Sequence, residues 1–215
     1  MRSRVLNLSL ILAVLMASKA VLAQEVIDRV AARVENDIIL LSDVRALGRY
    51  QVFMDGKSES DAQILDRLID QWIVRNEASA ARYLQPSDEE VQRSLARLKR
   101  SFSSPAEFED RRRQSGLSSE ELLAMVKSQL YLDNYLDTRF RPSTQVAEKD
   151  VEEFYKERVV PRAESRGQTP PALADARDFI QEALVQGAIN EQADRWLKES
   201  RSRIRVENLL NESKP

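Results

Sequence analysis

The chain has 215 residues, 42% hydrophobic and 32% charged, with no histidine and no cysteine. Without imidazole or thiol, Ser-His-Asp and Cys-His catalysis, disulfides and cysteine-zinc sites are excluded, which leaves carboxylate, Lys and Arg chemistry. Five glycines, 6% aromatic residues and a formal charge of −2 argue against a Gly-rich phosphate loop, an all-β sandwich and a nucleic-acid surface.

Residues 1–23 read as a secretory signal peptide. Arg2 and Arg4 form a positive start, Val5 to Met16 is apolar, and Val21-Leu22-Ala23 places cleavage after Ala23. The competing reading is a retained membrane anchor, against which the apolar run is shorter than the ~20 residues that span a bilayer and Lys19 interrupts any extension; after cleavage no stable membrane insertion is expected. Cleavage removes Arg2, Arg4 and Lys19 and leaves a more acidic chain without disulfides, which must rely on packing.

Val26 to Ser42 carries the first β pattern. Val30, Ala32 and Val34 alternate with Ala31 and Arg33, Asn36-Asp37 suits a tight turn, and Ile38-Ile39-Leu40-Leu41 returns as the second strand. From there the pattern is helical. Ser42 is the expected cap of a helix that Asp55-Gly56-Lys57 stops. Ser58-x-x-Asp61 opens the next, where Ile64, Leu65, Leu68, Ile69, Trp72 and Ile73 make an amphipathic stripe read as core. Capping boxes at Ser87-x-x-Glu90, Ser104-x-x-Glu107 and Ser118-x-x-Glu121 start helices over 87–102, 105–115 and 118–140. Pro105 fits the first position of the second of these. Val146 to Arg158 forms another helix. Residues 159–171, with Pro161, Gly167, Pro170 and Pro171, form the clearest loop. A long helix follows from Ala172 to about Arg201. Arg203 to Glu207 alternates again and reads as a strand completing the N-terminal hairpin.

No catalytic motif emerges. The carboxylate pairs Asp88-Glu89-Glu90, Glu120-Glu121 and Glu152-Glu153 fall in first helical turns, where the helix dipole favours them. Arg111-Arg112-Arg113 is expected to solvate a helix end near Gly116. Surplus apolar residues remain at the end of the first helix (Tyr50, Phe53 and Met54) and beyond the stripe of the 118–140 helix (Met125, Tyr131 and Tyr135). Methionine and tyrosine adapt to varied apolar partners, so these six are the candidate peptide-binding residues, with completion of the core as the competing reading.

The segment Val26 to Val44 resembles the opening hairpin and helix cap of the SurA-type periplasmic chaperones. So do Leu65-Asp66-Arg67-Leu68-Ile69-Asp70, Gln85 to Val91, the helix openings at 104 and 118, Val146 to Tyr155, and Leu173 to Leu210. The resemblance lies in the order of these segments and covers nearly all of the chain after residue 23. It implies a mainly α fold, a multi-helix chaperone core with a small antiparallel sheet from an N-terminal hairpin and a C-terminal strand. The expected organisation is an N-terminal chaperone domain over 24–145, a helix and loop over 146–171, and a C-terminal helix and strand over 172–215 packing back on it. Members of that family commonly carry parvulin-type prolyl isomerase domains where only the short loop at 159–171 stands here. The implied protein is therefore an ATP-independent periplasmic holdase without isomerase activity and without cofactor or metal. Its partners would be unfolded or partly folded exported polypeptides, outer-membrane precursors among them, and the outer-membrane assembly machinery. A non-enzymatic assembly factor that binds one folded envelope partner is the alternative.

Overall fold

The computed structural model describes residues 28–210, so the signal-peptide reading and the first residues of the hairpin segment lie outside the described residues. Strand β1 (Val30–Val34) is central in a three-stranded antiparallel sheet, flanked by β2 (Asp37–Leu40) and β3 (Val206–Asn208). The closing strand thus joins the hairpin as the sequence suggests, with Val34 opposite Val206 and Arg33 opposite Glu207. A register irregularity between Val30 and Ala32 breaks the simple alternation, and Ala31 and Ala32 are both fully buried.

The tight turn falls one residue earlier than Asn36-Asp37. Val34 pairs with Asp37, and Glu35 takes the positive φ of 53°. The cause is tertiary: the Glu35 amide donates to the Arg205 carbonyl at 3.0 Å, and the Arg205 amide donates back to Glu35 Oε1 at 2.6 Å.

Helix α1 (Leu41–Asp55) follows without a loop. Ser42 does not cap it. The Asp43 carboxylate accepts from the Leu40 amide at 2.9 Å, and Asp28 accepts from the Ser42 amide at 3.3 Å. Gly56 ends the helix at φ 75°, as the Asp55-Gly56-Lys57 pattern requires. Helix α2 (Asp61–Ala80) starts two residues later than expected, because Ser60 and Gln63 form the capping box while the Ser58 hydroxyl donates to the Glu59 carbonyl. Helices α3 (Asp88–Arg100), α4 (Pro105–Gln114) and α5 (Ser119–Phe140) start behind Ser87, Ser104 and Ser118, each of which accepts from the amide three residues on. The three arginines of α4 pair with Glu107, Glu109 and Asp110 on their own helix, and Arg112 also donates to the Leu117 carbonyl at 2.6 Å.

The expected loop at 159–171 is shorter than its proline content suggests. Helix α6 (Glu148–Phe154) runs through a π-helical turn, Tyr155–Val159, into α7 (Val160–Glu164). Pro161 lacks an N–H and its ring crowds the carbonyl four residues back, which normally breaks a helix. Here the wider turn absorbs it, with the Val160 amide donating to the Tyr155 carbonyl. Helix α8 (Leu173–Arg201) then crosses back over the bundle.

Four apolar clusters hold these elements. The first joins the sheet to α1 and α2 through Val34, Ile39, Val44, Ile64, Leu65 and Ile69. The second packs α1, α3, α4 and α5 around Phe53. The third sets α5 against α2 and α8, and the fourth joins α6 to α8 through Val151, Ala176 and Ile180. Arg141 clamps α5 to α8 by bonding both Asp137 and Glu182 at 2.7 Å, and Arg201 ties the end of α8 to Asp66 and Asp70 of α2. The result is a mainly α protein with a small antiparallel sheet.

Candidate functional site

An open cleft runs along the exposed junction of α1, α2 and α5, with β2 as its lip. Two adjoining hollows of about 310 and 330 Å³ share Leu47 and Gln71. The first is lined by Ile38 and Ile39 of β2, Leu47 of α1, Leu68 and Trp72 of α2, and Met125 of α5. The second is lined by Tyr50 and Met54 of α1 and turns polar at Gln51, Glu59, Arg67 and Gln129. Past Trp72 the cleft continues into a third hollow of about 430 Å³ at Asn76 and Ser79.

The walls are fixed by short-range bonds. The Trp72 indole Nε1 donates to Asp37 Oδ2 at 2.8 Å, which holds the ring at the lip beside Ile38, 56% exposed. Arg75 reaches Ser128 Oγ at 3.2 Å and bridges α2 to α5 in the wall of the first hollow. At the polar end, Arg67 donates to both oxygens of Glu59 at 2.6 Å, and Gln51 bonds the same residue through side chain and backbone. This network holds the chain between α1 and α2 against the cleft.

Arg67, with Gln51 assisting, holds the Glu59 carboxyl below its usual 4.5, at about 2. Burial, with Asp133 and Asp55 nearby, pushes the Tyr50 phenol above its ordinary value, so it stays protonated and able to hydrogen-bond a visitor. The Glu59 shift has a pH consequence. A carboxyl depressed in the folded state contributes stability that is complete above its ordinary value and is lost as pH falls through the depressed one. Urea midpoints measured from pH 4.5 down to 2 should therefore fall more steeply for the wild type than for Glu59→Gln. Parallel slopes would show that the pair carries no such linkage.

The six sequence-derived residues divide evenly. Tyr50, Met54 and Met125 line the cleft. Phe53, Tyr131 and Tyr135 do not belong to a binding surface. Phe53 is fully buried, with the Phe102 and Phe108 rings 5.3 and 5.4 Å from its own. Tyr131 and Tyr135 are buried beneath Tyr83, whose ring lies 5.8 and 5.5 Å away, and beside Trp196 and Leu197 of α8. Each buried phenol has a partner, Tyr131 donating to the Tyr83 carbonyl and Tyr135 accepting from Arg139. The physical reason is cover: α3 and α4 close over one cluster, and α8 with Tyr83 closes over the other.

Leu68, Trp72 and Ile38 are the residues the sequence reading missed. Leu68 and Trp72 belong to the α2 stripe assigned to the core, yet they are only half-buried and face the cleft. An apolar stripe identifies a face but not which part of it a neighbouring helix covers. Methionine, leucine and tryptophan over glutamine amides suit a polypeptide segment, whose side chains need apolar contact and whose backbone needs hydrogen-bonding groups. Among the described residues no cluster of carboxylates is placed to hold a metal ion, and no helix is long and apolar enough to cross a membrane.

No protein-family model matches the chain, and no curated protein is significantly similar to it. The class that can be stated is therefore architectural: a helical protein with a three-stranded sheet and an amphipathic cleft.

Proposed function

We infer that the protein is an ATP-independent periplasmic holdase that binds unfolded exported polypeptides, outer-membrane precursors among them, without prolyl isomerase or other enzymatic activity. The observation that carries this reading is the cleft formed by Leu68, Trp72 and Met125. It keeps apolar side chains accessible between helices whose outer faces are charged. The SurA-like order of segments supplies the prior, and the periplasmic site of action rests on the signal-peptide reading of residues 1–23.

A holdase of this kind suppresses aggregation of a denatured model protein at near-stoichiometric ratio and without nucleotide. Replacing the half-buried Met125 by aspartate puts a charge into the apolar hollow while leaving the core clusters intact. Met125→Asp should then require about fivefold more protein for equal suppression, the effect of losing roughly 1 kcal/mol of contact. Full suppression by the variant would remove the cleft from the account. Recovery of one stoichiometric folded partner, with indifference to unfolded chains, would favour an assembly factor. Measurable prolyl isomerisation of a test peptide would overturn the non-enzymatic reading.

A further inference from the structure

A second groove lies away from the cleft, where α6, the π-turn and α7 pack across α8. It encloses about 630 Å³ over an apolar floor of Phe154, Val159, Ala176 and Phe179. Phe179 is 74% exposed although its neighbour Ile180 is fully buried, so the helix presents a phenyl ring to the groove that the local core does not use.

The rim is basic. Arg158, Arg162 and Arg166 recur every four residues along one edge, and among the described residues none has a carboxylate partner within ion-pairing distance. Their neighbours differ: Lys156 pairs with Glu152, and Arg177 pairs with Glu148. Asp175 is the acidic residue of the lining, and its place in the first turn of α8 is accounted for by the helix dipole. The groove walls are braced. The π-turn carries Arg158 and Val159 into the lining, and Tyr155 donates its hydroxyl to the Pro171 carbonyl at 2.7 Å across the mouth of the loop. π-turns within α-helices concentrate at functional positions.

We propose that this groove docks an acidic polypeptide segment, seating a bulky apolar side chain against Phe179 while its carboxylates meet Arg158, Arg162 and Arg166. Charge complementarity selects the occupant, since guanidinium groups match carboxylates in a forked geometry. A concave floor favours an inserted side chain over a flat bilayer. The site is independent of the cleft and goes beyond the holdase reading.

The test uses the full chain and a fluorescein-labelled peptide with Phe and Leu among Asp and Glu residues, followed by anisotropy. A peptide with Lys in place of every acid is the comparison. Expected are saturable binding of the acidic peptide, weakening as salt is raised, at least a tenfold loss in the double variant Arg158→Glu/Arg162→Glu, and a comparable loss in Phe179→Ser. Both changes lie at exposed positions, so circular dichroism and the urea midpoint should match the wild type. Met125→Asp should leave this binding unchanged, which separates failure here from failure of the cleft. Equal binding of the lysine peptide, or no loss in the arginine variant, would overturn the proposal. So would binding confined to phosphatidylglycerol vesicles, or a dimer without peptide that Phe179→Ser dissolves.

Discussion

Phe53→Ala should lower the unfolding free energy by about 4 kcal/mol, the cost of truncating a fully buried aromatic residue that cannot be refilled. Phe53 has no exposed surface, and its ring meets Phe108 edge-on and Phe102 at a tilt inside the cluster joining α1 to α3, α4 and α5. Met54, next in sequence, is 37% exposed and lines the cleft, so Met54→Ala should cost less than about 1 kcal/mol. Urea denaturation of the two variants reads the contrast directly. A loss under about 1 kcal/mol for Phe53→Ala would mean that α3 and α4 do not close over α1 as described.

Ending the chain after Arg203 should cost a similar amount, about 3–5 kcal/mol. The deletion takes Ile204, Val206 and Leu210 off the first core cluster, at roughly 1 kcal/mol for each partly buried side chain. It also breaks the bonds of β1 with β3, including the Leu209 amide to the Ala31 carbonyl at 2.9 Å, each worth about 1 kcal/mol. There is a second effect. Strand β1 is central in the order β2-β1-β3, so removing β3 bares an edge whose Ala31, Ala32 and Val34 are otherwise fully buried. Such an edge pairs with other chains. The shortened protein should therefore show both a lower urea midpoint and concentration-dependent association by sedimentation. An unchanged midpoint with a monomeric product would show that β3 is an ornament of the sheet.

Much of the fold was legible because its signals are local. The capping boxes at Ser87 and Ser118 and the Ser104 cap act within four residues, and those helices begin where the sequence places them; only the return bond of Glu107 shifts, to the Ser103 amide. The failures have distant or competing causes. Glu35 takes the turn conformation because Arg205 bonds it from 170 residues away. Ser42 loses the cap to Asp28 and Asp43, and Ser58 loses it to Ser60, whose partner Gln63 completes the box. Pro161 reads as a loop residue, yet a π-turn lets the helix pass through it.

The cleft was half legible. Met54, Met125 and Tyr50 exceed what one stripe needs, but so do Phe53, Tyr131 and Tyr135, which other helices bury. Leu68 and Trp72 sit between Ile64 and Ile73 on the face of α2 when projected at 3.6 residues per turn, so helical position cannot single them out. Which apolar residues stay accessible is decided by where α1 and α5 diverge over α2, and that is a property of the assembled bundle.

Two properties of the cleft bear on how a holdase would work there. Its lining combines adaptable methionines with a tryptophan pinned through Asp37, so varied side chains can be accepted without reordering the wall. Its polar end is locked by the Arg67–Glu59 pair, and Glu59 is fully ionised at neutral pH, unsuited to serve as a general acid.

The most direct measurement is site-specific photo-crosslinking from the cleft to an unfolded outer-membrane protein without nucleotide. A benzophenone side chain would replace Met54 or Met125 in turn, and a third protein would carry it at Leu84, which is 84% exposed and absent from the cleft lining. The account predicts strong crosslinks from positions 54 and 125, competed away by unlabelled unfolded client, and little from 84. Equal yield from all three positions, or none from 54 and 125 while the client remains bound, would contradict it.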